Sequence, residues 1–346
     1  MKQDIAFEVL LPFLHAVQGE MLWIADETAL DWISVVPASP QLSIYSNRFD
    51  VVQAANAAGH QAVFSDFDFT HLQDKHYARI VYRISKEKAV VQHVINSAAH
   101  LLAPEGEFFV AGLKQEGIKT FLDQCGDVFV ESSSKKMGLA YLGCFSHTKN
   151  NAKVLGMDEY HALQWLETDS LAFFSKQGAF GWNKIDEGSV LLISVADAVY
   201  SSLPVPPRSL LDLGCGYGYL TLMTRHWPMQ KRTATDNGAA ALLGMRANAE
   251  HYALAVDVVA SNAGDALQSG TFDLILCNPP FHRGTAVSQD LTDLFLQQTA
   301  RLLQPKGVAL FVVNAFIPLE QKALQWFKSI ELQTSNRSYK VFKLQK

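Results

Sequence analysis

Apolar and polar positions along this chain fall into short blocks that switch between two periods. In the first 145 residues EVLLPFLHAV has the spacing of an amphipathic helix, MLWIAD and QLSIYS are compact apolar runs, and RFDVVQAANAAG returns to helical spacing. AVFSDF, ARIVYRI and GEFFVAG are again strand-like, with a long helix predicted up to Leu102 and further strands to Phe145. The second half repeats the scheme. Strands are predicted at 209–213, 232–236, 256–261, 272–277 and 308–314, helices at 238–252, 288–303 and 319–328, then closing strands. Strands and helices in alternation predict α/β, with doubly wound sheets whose strands are apolar on both faces.

The pattern is also duplicated. LLAPEG at 101–106 recurs as LLQPKG at 302–307, each after a long helix and before an apolar strand, so two copies of one fold are expected with a period near 200 residues. Between them SHTKNNAKV is polar and breaks the periodicity, which makes 146–172 the expected linker and 1–150 and 151–346 the expected domains. A length of 346 residues suffices for two cores, and 49% hydrophobic with 18% charged residues is an ordinary globular balance. No apolar run reaches the roughly 18 residues of a membrane span, and MKQDIAFEVL carries an acid too early for a leader, so a cytoplasmic protein is expected. Cys125, Cys144, Cys215 and Cys277 show neither Cys-x-x-Cys spacing nor histidine clustering; buried thiols are expected, with no metal site and no disulfide.

Chemistry concentrates in two stretches. FDLILCNPPF at 272–281 reads as a buried strand stopped by a proline pair, which leaves its last carbonyls without ladder partners. Asn278 adds an amide oxygen, making a cradle for a planar nitrogen with two N–H groups, and Phe281 is available to stack on the ring bearing it. Alone, Asn-Pro would be an ordinary strand-to-loop break. Upstream, however, SLLDLGCGYGYL at 209–220 runs from a strand into Gly214, Gly216 and Gly218, a turn that lets a ligand approach a helix N-terminus. It is not a dinucleotide fingerprint, because Tyr219 stands where the third glycine would be. Asp236 ends RTATD with two oxygens for two ribose hydroxyls, and Asn262 stands just after VVAS. Every one of these residues, Asp212 included, falls at the carboxyl end of a predicted strand, where open sheets bind ligands.

Acid, glycine turn, second acid and NPPF together resemble S-adenosylmethionine-dependent methyltransferases of exocyclic amino nitrogens. The likeness extends to FSKQGAFGWNKIDEGSVLLI within 173–193, FHRG at 281–284, VVNAFIP at 312–318 and RSYKVFK at 337–343. With an extra domain in front, the chain resembles the ribosomal RNA small subunit methyltransferase C family over nearly its whole length. The resemblance implies two tandem Rossmann-like methyltransferase domains, the first degenerate, in a monomer. It implies S-adenosyl-L-methionine held by Asp212, Gly214, Gly216, Gly218, Asp236 and Asn262, with Asp212 near the methionine portion. It gives Asn278, Pro279 and Phe281 the catalytic roles, and Pro280, His282 and Arg283 contacts to the substrate. It also implies that 173–193 covers the cofactor, with Phe173, Asp186 and Ser189 contributing. The implied substrate is the N2 of one guanosine, at position 1207 of 16S ribosomal RNA in the small subunit.

The first copy lacks that chemistry. WIADETA stands in place of DLGCGYG without a glycine, Ser46 corresponds to Asp236, and Tyr82 and Arg83 correspond to the NPP turn, leaving a structural or RNA-guiding role. Arg79, Arg83, Lys86 and Lys88 form either a phosphate-binding face or a polar edge, the second being favoured. A net charge of −5 argues against a nucleic-acid binder, but residues 317–346 hold six basic side chains against Glu320 and Glu331. Adenine N6 and glutamine-amide methyltransferases share the planar amino target. A non-catalytic RNA-binding assembly factor is the rival of another class, and a nicotinamide oxidoreductase is disfavoured by the glycine spacing.

Overall fold

The computed structural model describes residues 4–156, 160–280 and 286–346, the side chains of 286–290 excepted. The chain forms two compact units, Met1–Ala162 and Leu163–Lys346. The first contains strands β1 (Met21–Ala25), β2 (Leu42–Ser46), β3 (Gln61–Phe64), β4 (Tyr77–Arg83), β5 (Leu102–Leu113), β6 (Phe129–Met137) and β7 (Ala140–Thr148). Its helices are α1 (Ile5–Glu8), α2 (Leu11–His15), α3 (Phe49–Ala57), α4 (Lys88–Leu101) and α5 (Ile118–Val128). The second has the hairpin β8 (Gln164–Glu167) and β9 (Ala172–Ser175), then β10 (Ser209–Leu213), β11 (Lys231–Asp236), β12 (Asp257–Ala260), β13 (Phe272–Cys277), β14 (Leu303–Asn314), β15 (Ser329–Ser335) and β16 (Tyr339–Gln345). Its helices are α6 (Glu187–Ser202), α7 (Tyr219–Met223), α8 (Ala239–His251), α9 (Ala286–Leu302) and α10 (Leu319–Ala323).

The duplication is topological. One sheet runs β3-β2-β1-β4-β5-β7-β6 and the other β12-β11-β10-β13-β14-β16-β15, the same order strand for strand. In each, an antiparallel hairpin closes an otherwise parallel sheet. The direction of winding reverses between β10 and β13, which opens a crevice at their carboxyl ends.

Alternation along the central strands fills both faces. Leu211, Leu213, Ile275 and Cys277 pack with Phe295 and Leu296 of α9, while Leu210, Leu274 and Leu276 pack with Leu192, Ala196 and Val199 of α6. The recurring LLxPxG has a structural cause too. β5 and β14 start before the apolar pattern predicted, and their pairing shifts register between Tyr77 and Arg79 and between Phe272 and Leu274. A Cβ at Gly106 would stand 2.7 Å from the Tyr77 carbonyl oxygen, and one at Gly307 3.1 Å from that of Phe272. Only glycine lets the bulged strand approach its neighbour so closely.

Elsewhere the structure departs from the sequence pattern. EVLLPFLHAV splits into α1 and α2, because Pro12 can open a helix but not continue one. α10 ends at Ala323, short of the expected 328, and Ser329 already belongs to β15. The polar stretch after β7 remains with the first unit, whose core takes in Leu155 and Tyr160, so that unit extends to Ala162 and not to 150. The four cysteines are unpaired, three of them buried and Cys144 partly so. Among the described residues no helix is long and apolar enough to cross a membrane.

Arg79 and Arg83 form neither a phosphate face nor a polar edge. Both are buried: Arg79 donates to Glu107 (3.2 Å) and to the carbonyls of Phe13 and Ala16, and Arg83 to Asp4 (3.1 Å) and Glu116 (2.7 Å). Arg83 and its partners are enclosed, and removing one member of such a pair typically costs about 3–5 kcal/mol, whereas Glu107 is partly exposed and its pair with Arg79 counts for less. Three of the six basic side chains near the C-terminus also meet carboxylates, Lys322 with Asp293, Lys340 with Glu320 and Lys343 with Glu331. Half of the positive charge there is thus balanced.

Candidate active site

β10 pairs with β11 on one side and β13 on the other, so Leu213 lies between Thr235 and Cys277, and the glycine turn and Asn278 emerge side by side. The amides of Gly214 and Cys215 both donate to the Thr235 carbonyl at 2.9 Å, folding the chain back over β11. Gly216 N–H donates to Asp236 Oδ2 at 3.0 Å, and Gly238 N–H to Asp236 Oδ1 at 2.8 Å. Each carboxylate oxygen keeps a lone pair for a second donor. The glycines at 216 and 218, with φ of +56° and +99°, differ in surroundings: a Cβ on Gly216 would meet no atom within 4 Å, whereas one on Gly218 would overlap Met245 Sδ. A Cβ on Gly214 would stand 3.9 Å from the Asn278 carbonyl oxygen. The turn and the Asn-Pro-Pro corner therefore share one crevice, with open space above Gly216.

Asp212 is buried beneath this turn. Its Oδ2 accepts from the Thr221 amide (3.0 Å) and hydroxyl (2.7 Å), so it fastens the start of α7 and not the glycine amides; its Oδ1 is buried without a partner. Burial pushes its carboxyl up to about 6, the nearby Asp236 adding to the rise and Thr221 opposing it. Behind the turn, Phe173 is fully buried and stacks on Tyr217 with ring centroids 4.2 Å apart. Its ring supports the glycine turn and has no exposed face with which to cover a ligand. Asn248 of α8 ties the hairpin to the turn, accepting from Phe174 N–H and donating to the carbonyls of Phe174 and Tyr217. Asn262 follows β12 with its backbone amide held by Asp265.

At the corner, the two N–H bonds of the Asn278 carboxamide are both used. Nδ2 donates to Asp186 Oδ2 and to Ser189 Oγ, each at 2.7 Å. Asp186 is also the N-cap of α6, accepting from Ser189 N–H at 2.9 Å. The carboxylate has no proton to give, so the amide must turn its NH2 towards it, and Oδ1 is left facing the other way as an acceptor. Pro279 is buried and Pro280 exposed. Phe281, His282 and Arg283 lie outside the described residues.

Two family models match the sequence, Methyltransferase small domain over residues 170–343 and Methyltransferase small domain N-terminal over 14–137. A ribosomal RNA small subunit methyltransferase C from Erwinia tasmaniensis is 30% identical over 268 residues, 76% of this chain and 74% of its own. That of Pasteurella multocida is 28% identical, over 89% of this chain and 88% of its own. This chain belongs to the ribosomal RNA small subunit methyltransferase C family. Among solved structures, a T. thermophilus 16S rRNA N2 methyltransferase in complex with AdoMet and guanosine shares the fold over 100% of this chain and 92% of its own, with a TM-score of 0.82 at 21% identity. The chain is accordingly a class I methyltransferase with two Rossmann-like sheets.

Within this family fold the two units can be compared position by position. β2 ends in Ser46 where β11 ends in Asp236, and each side chain accepts from the amide two residues on. After β3 and β12, Ser65 and Ser261 donate back to Ser46 and Asp236, which places Asp66 where the second unit has Asn262; Phe67 and Ala263 follow with φ of +54° and +49°. Arg83 stands where the second unit has Asn278, by the pairing of Ile24 with Tyr82 and of Leu213 with Cys277. The contacts sequence reasoning did not find are those made from outside the motifs: Asp186 and Ser189 on Asn278, Thr221 on Asp212, and Asn248 behind the turn. D-x-x-S was readable as a helix cap, but nothing in the sequence aimed it at Asn278.

Proposed function

We propose that this chain transfers the methyl group of S-adenosylmethionine to the exocyclic N2 of a guanosine in 16S ribosomal RNA of the small subunit, at position 1207 as in the T. thermophilus relative. The observation that carries the reading is the Asn278 amide, fixed as an acceptor one residue beyond the pair Leu213 and Cys277 and beside the glycine turn. The cofactor fits the crevice: space lies open over Gly216, Asp236 has a lone pair to spare on each oxygen for a ribose diol, and Asp212 Oδ1 is a buried acceptor without a donor. Asp212, Gly214, Gly216, Gly218, Asp236 and Asn262 would hold it.

When bound, S-adenosylmethionine supplies a methyl group on a positively charged sulfur. The protein's share is orientation. Asn278 Oδ1 and the Pro279 carbonyl each accept one N–H of the amino group, which turns its lone pair out of the ring plane and towards the methyl group. Because these acceptors are held before the substrate arrives, they need no reorganisation in the transition state. No strong base is required, since the nitrogen loses its proton after it has gained positive charge. Phe281 would stack on the base, which must leave its helix to enter, with Pro280, His282 and Arg283 beside it.

In the first unit the same place is filled. Tyr160 donates to Asp66 Oδ1 at 3.0 Å and stacks on His93 at 4.6 Å, occupying the position next to Asp66 that an adenine would take next to Asn262. Burial drives the Tyr160 hydroxyl pKa upwards, with the Asp66 carboxylate adding to it, so the phenol remains a donor. That unit therefore serves as scaffold or RNA guide, without a cofactor.

The test is methylation of small ribosomal subunits from cells lacking the enzyme, read by nucleoside mass. N2-methylguanosine is expected with the wild type. Asn278→Ala should lose roughly 10²-fold or more in rate while its calorimetric affinity for S-adenosylmethionine stays within about twofold. N6-methyladenosine as the product, or an undiminished rate in the variant, would overturn the assignment.

A further inference from the structure

We infer that Asp186, together with Ser189, is a positioning residue that makes Asn278 an acceptor-only group and so restricts the corner to substrates presenting N–H bonds. The inference rests on the function proposed for Asn278. A carboxamide has a donor end and an acceptor end of nearly equal size and shape, and rotation by half a turn about its last bond exchanges them. An asparagine standing free at the end of β13 would sample both orientations, and in one of them it would offer NH2 to an incoming NH2. Here the exchange is blocked. Asp186 Oδ2 lies 2.7 Å from Nδ2, and the flipped amide would bring two proton-less oxygens to that distance. Ser189 Oγ takes the second N–H at the same distance, so no donor of Asn278 is left to face the crevice.

The pin is itself held rigidly. Asp186 caps α6 through Ser189 N–H, and Ser189 is buried in the first turn of that helix. α6 in turn packs Leu192, Ala196 and Val199 against the sheet that carries Asn278. A helix cap is thus used twice, once to start α6 and once to set the direction of an amide across the crevice. Asp186 is assigned its role through Asn278, to which its Oδ2 is hydrogen-bonded.

The two roles separate by mutation. Asp186→Ser keeps a cap for α6 but is too short to reach Asn278; Asp186→Asn retains an amide oxygen for both the Ser189 amide and the Asn278 NH2. With small ribosomal subunits from cells lacking the enzyme, Asp186→Ser should lower kcat at least tenfold, with the affinity for S-adenosylmethionine within twofold and the melting temperature near wild type. Asp186→Asn should recover most of the rate. In an Asn278→Ala background, Asp186→Ser should slow the enzyme no further, because the group it orients is gone. Wild-type kcat in Asp186→Ser, or an equal further loss in the Asn278→Ala background, would overturn the inference. Full activity of Asn278→Ala by itself would instead refute the underlying function, a result the single variant distinguishes from failure of the pin.

Discussion

Replacing Gly216 and Gly218 separately by alanine divides ligand space from folding space within one turn. At Gly216, φ is +56°, inside the left-handed region, where an L-residue pays about 1–2 kcal/mol. Loss of unfolded-state freedom returns about 0.4–1 kcal/mol, so the net penalty is about 1 kcal/mol, and the new methyl touches nothing. At Gly218, φ is +99°, beyond that region, and the methyl overlaps Met245, itself wholly buried in α8. Backbone strain of about 1–3 kcal/mol and overpacking of about 1–3 kcal/mol then add. For a unit of this size about 2–4 °C is lost per kcal/mol, so Gly218→Ala should melt roughly 5–20 °C lower and Gly216→Ala only a few degrees lower. Cofactor binding should rank the other way. Gly216→Ala puts a methyl group into the space assigned to S-adenosylmethionine and should weaken calorimetric affinity at least tenfold at a temperature where it is fully folded. An unchanged affinity would show that the space above Gly216 is not the cofactor's.

Three further outcomes are expected. Asp212 is raised from 3.8 to about 6 in the folded protein, so its contribution to stability is complete below about pH 4 and is lost as pH rises through about 6, leaving a cost of ~3 kcal/mol at neutral pH. Asp212→Asn should flatten that decline and melt higher at pH 7.5 by calorimetry, yet bind S-adenosylmethionine more weakly; a variant as pH-dependent as the wild type would refute the assignment. Asp236→Ala should weaken cofactor binding with little change in the rate at saturation, and an unaltered affinity would remove its ribose contact. Tyr160→Ala should destabilise the first unit by about 2–5 kcal/mol and still leave a single S-adenosylmethionine per chain, whereas a second equivalent in the titration would mean that the first unit retains a usable site.

What could be read from the sequence was whatever depends on neighbours in the chain. Strand positions, the glycine turn, the proline stop after Asn278 and the LLxPxG repeat are local, and the family motifs fixed their meaning, whereas the early starts of β5 and β14 depend on pairing with their neighbours. The identical strand orders followed from that repeat. Arg83 was legible as basic but not as buried, because its partners Asp4 and Glu116 lie 79 and 33 residues away. For the same reason Asp186, 92 residues from Asn278, was assigned to the segment over the cofactor and not to Asn278. Asp212 was expected near the methionine portion of the cofactor, and its contact with Thr221, nine residues on across the glycine turn, was not legible.

On the proposed reading, the paired units are one scaffold of which the first copy has given up a cofactor and kept its fold. Each strand end to which a ligand contact is assigned in the second unit carries, in the first, a group with partners from its own chain: Ser46 for Asp236, Asp66 capped by Tyr160 for Asn262, and Arg83 paired with Asp4 and Glu116 for Asn278. An empty crevice lined by such groups would leave polar atoms buried without partners, at about 1–3 kcal/mol each. Contacts from the chain's own side chains lower that cost for Ser46, Asp66 and Arg83, although Asp26 Oδ2, Asn47 Oδ1 and Ser65 Oγ stay buried without a partner; with no ligand to admit, WIADETA also needs no glycine clearance. Restoring binding to the first unit would therefore take more than a glycine turn. Tyr160 and the Arg83 ion pairs would have to be removed together, and each stabilises the unit that a returning cofactor would have to hold.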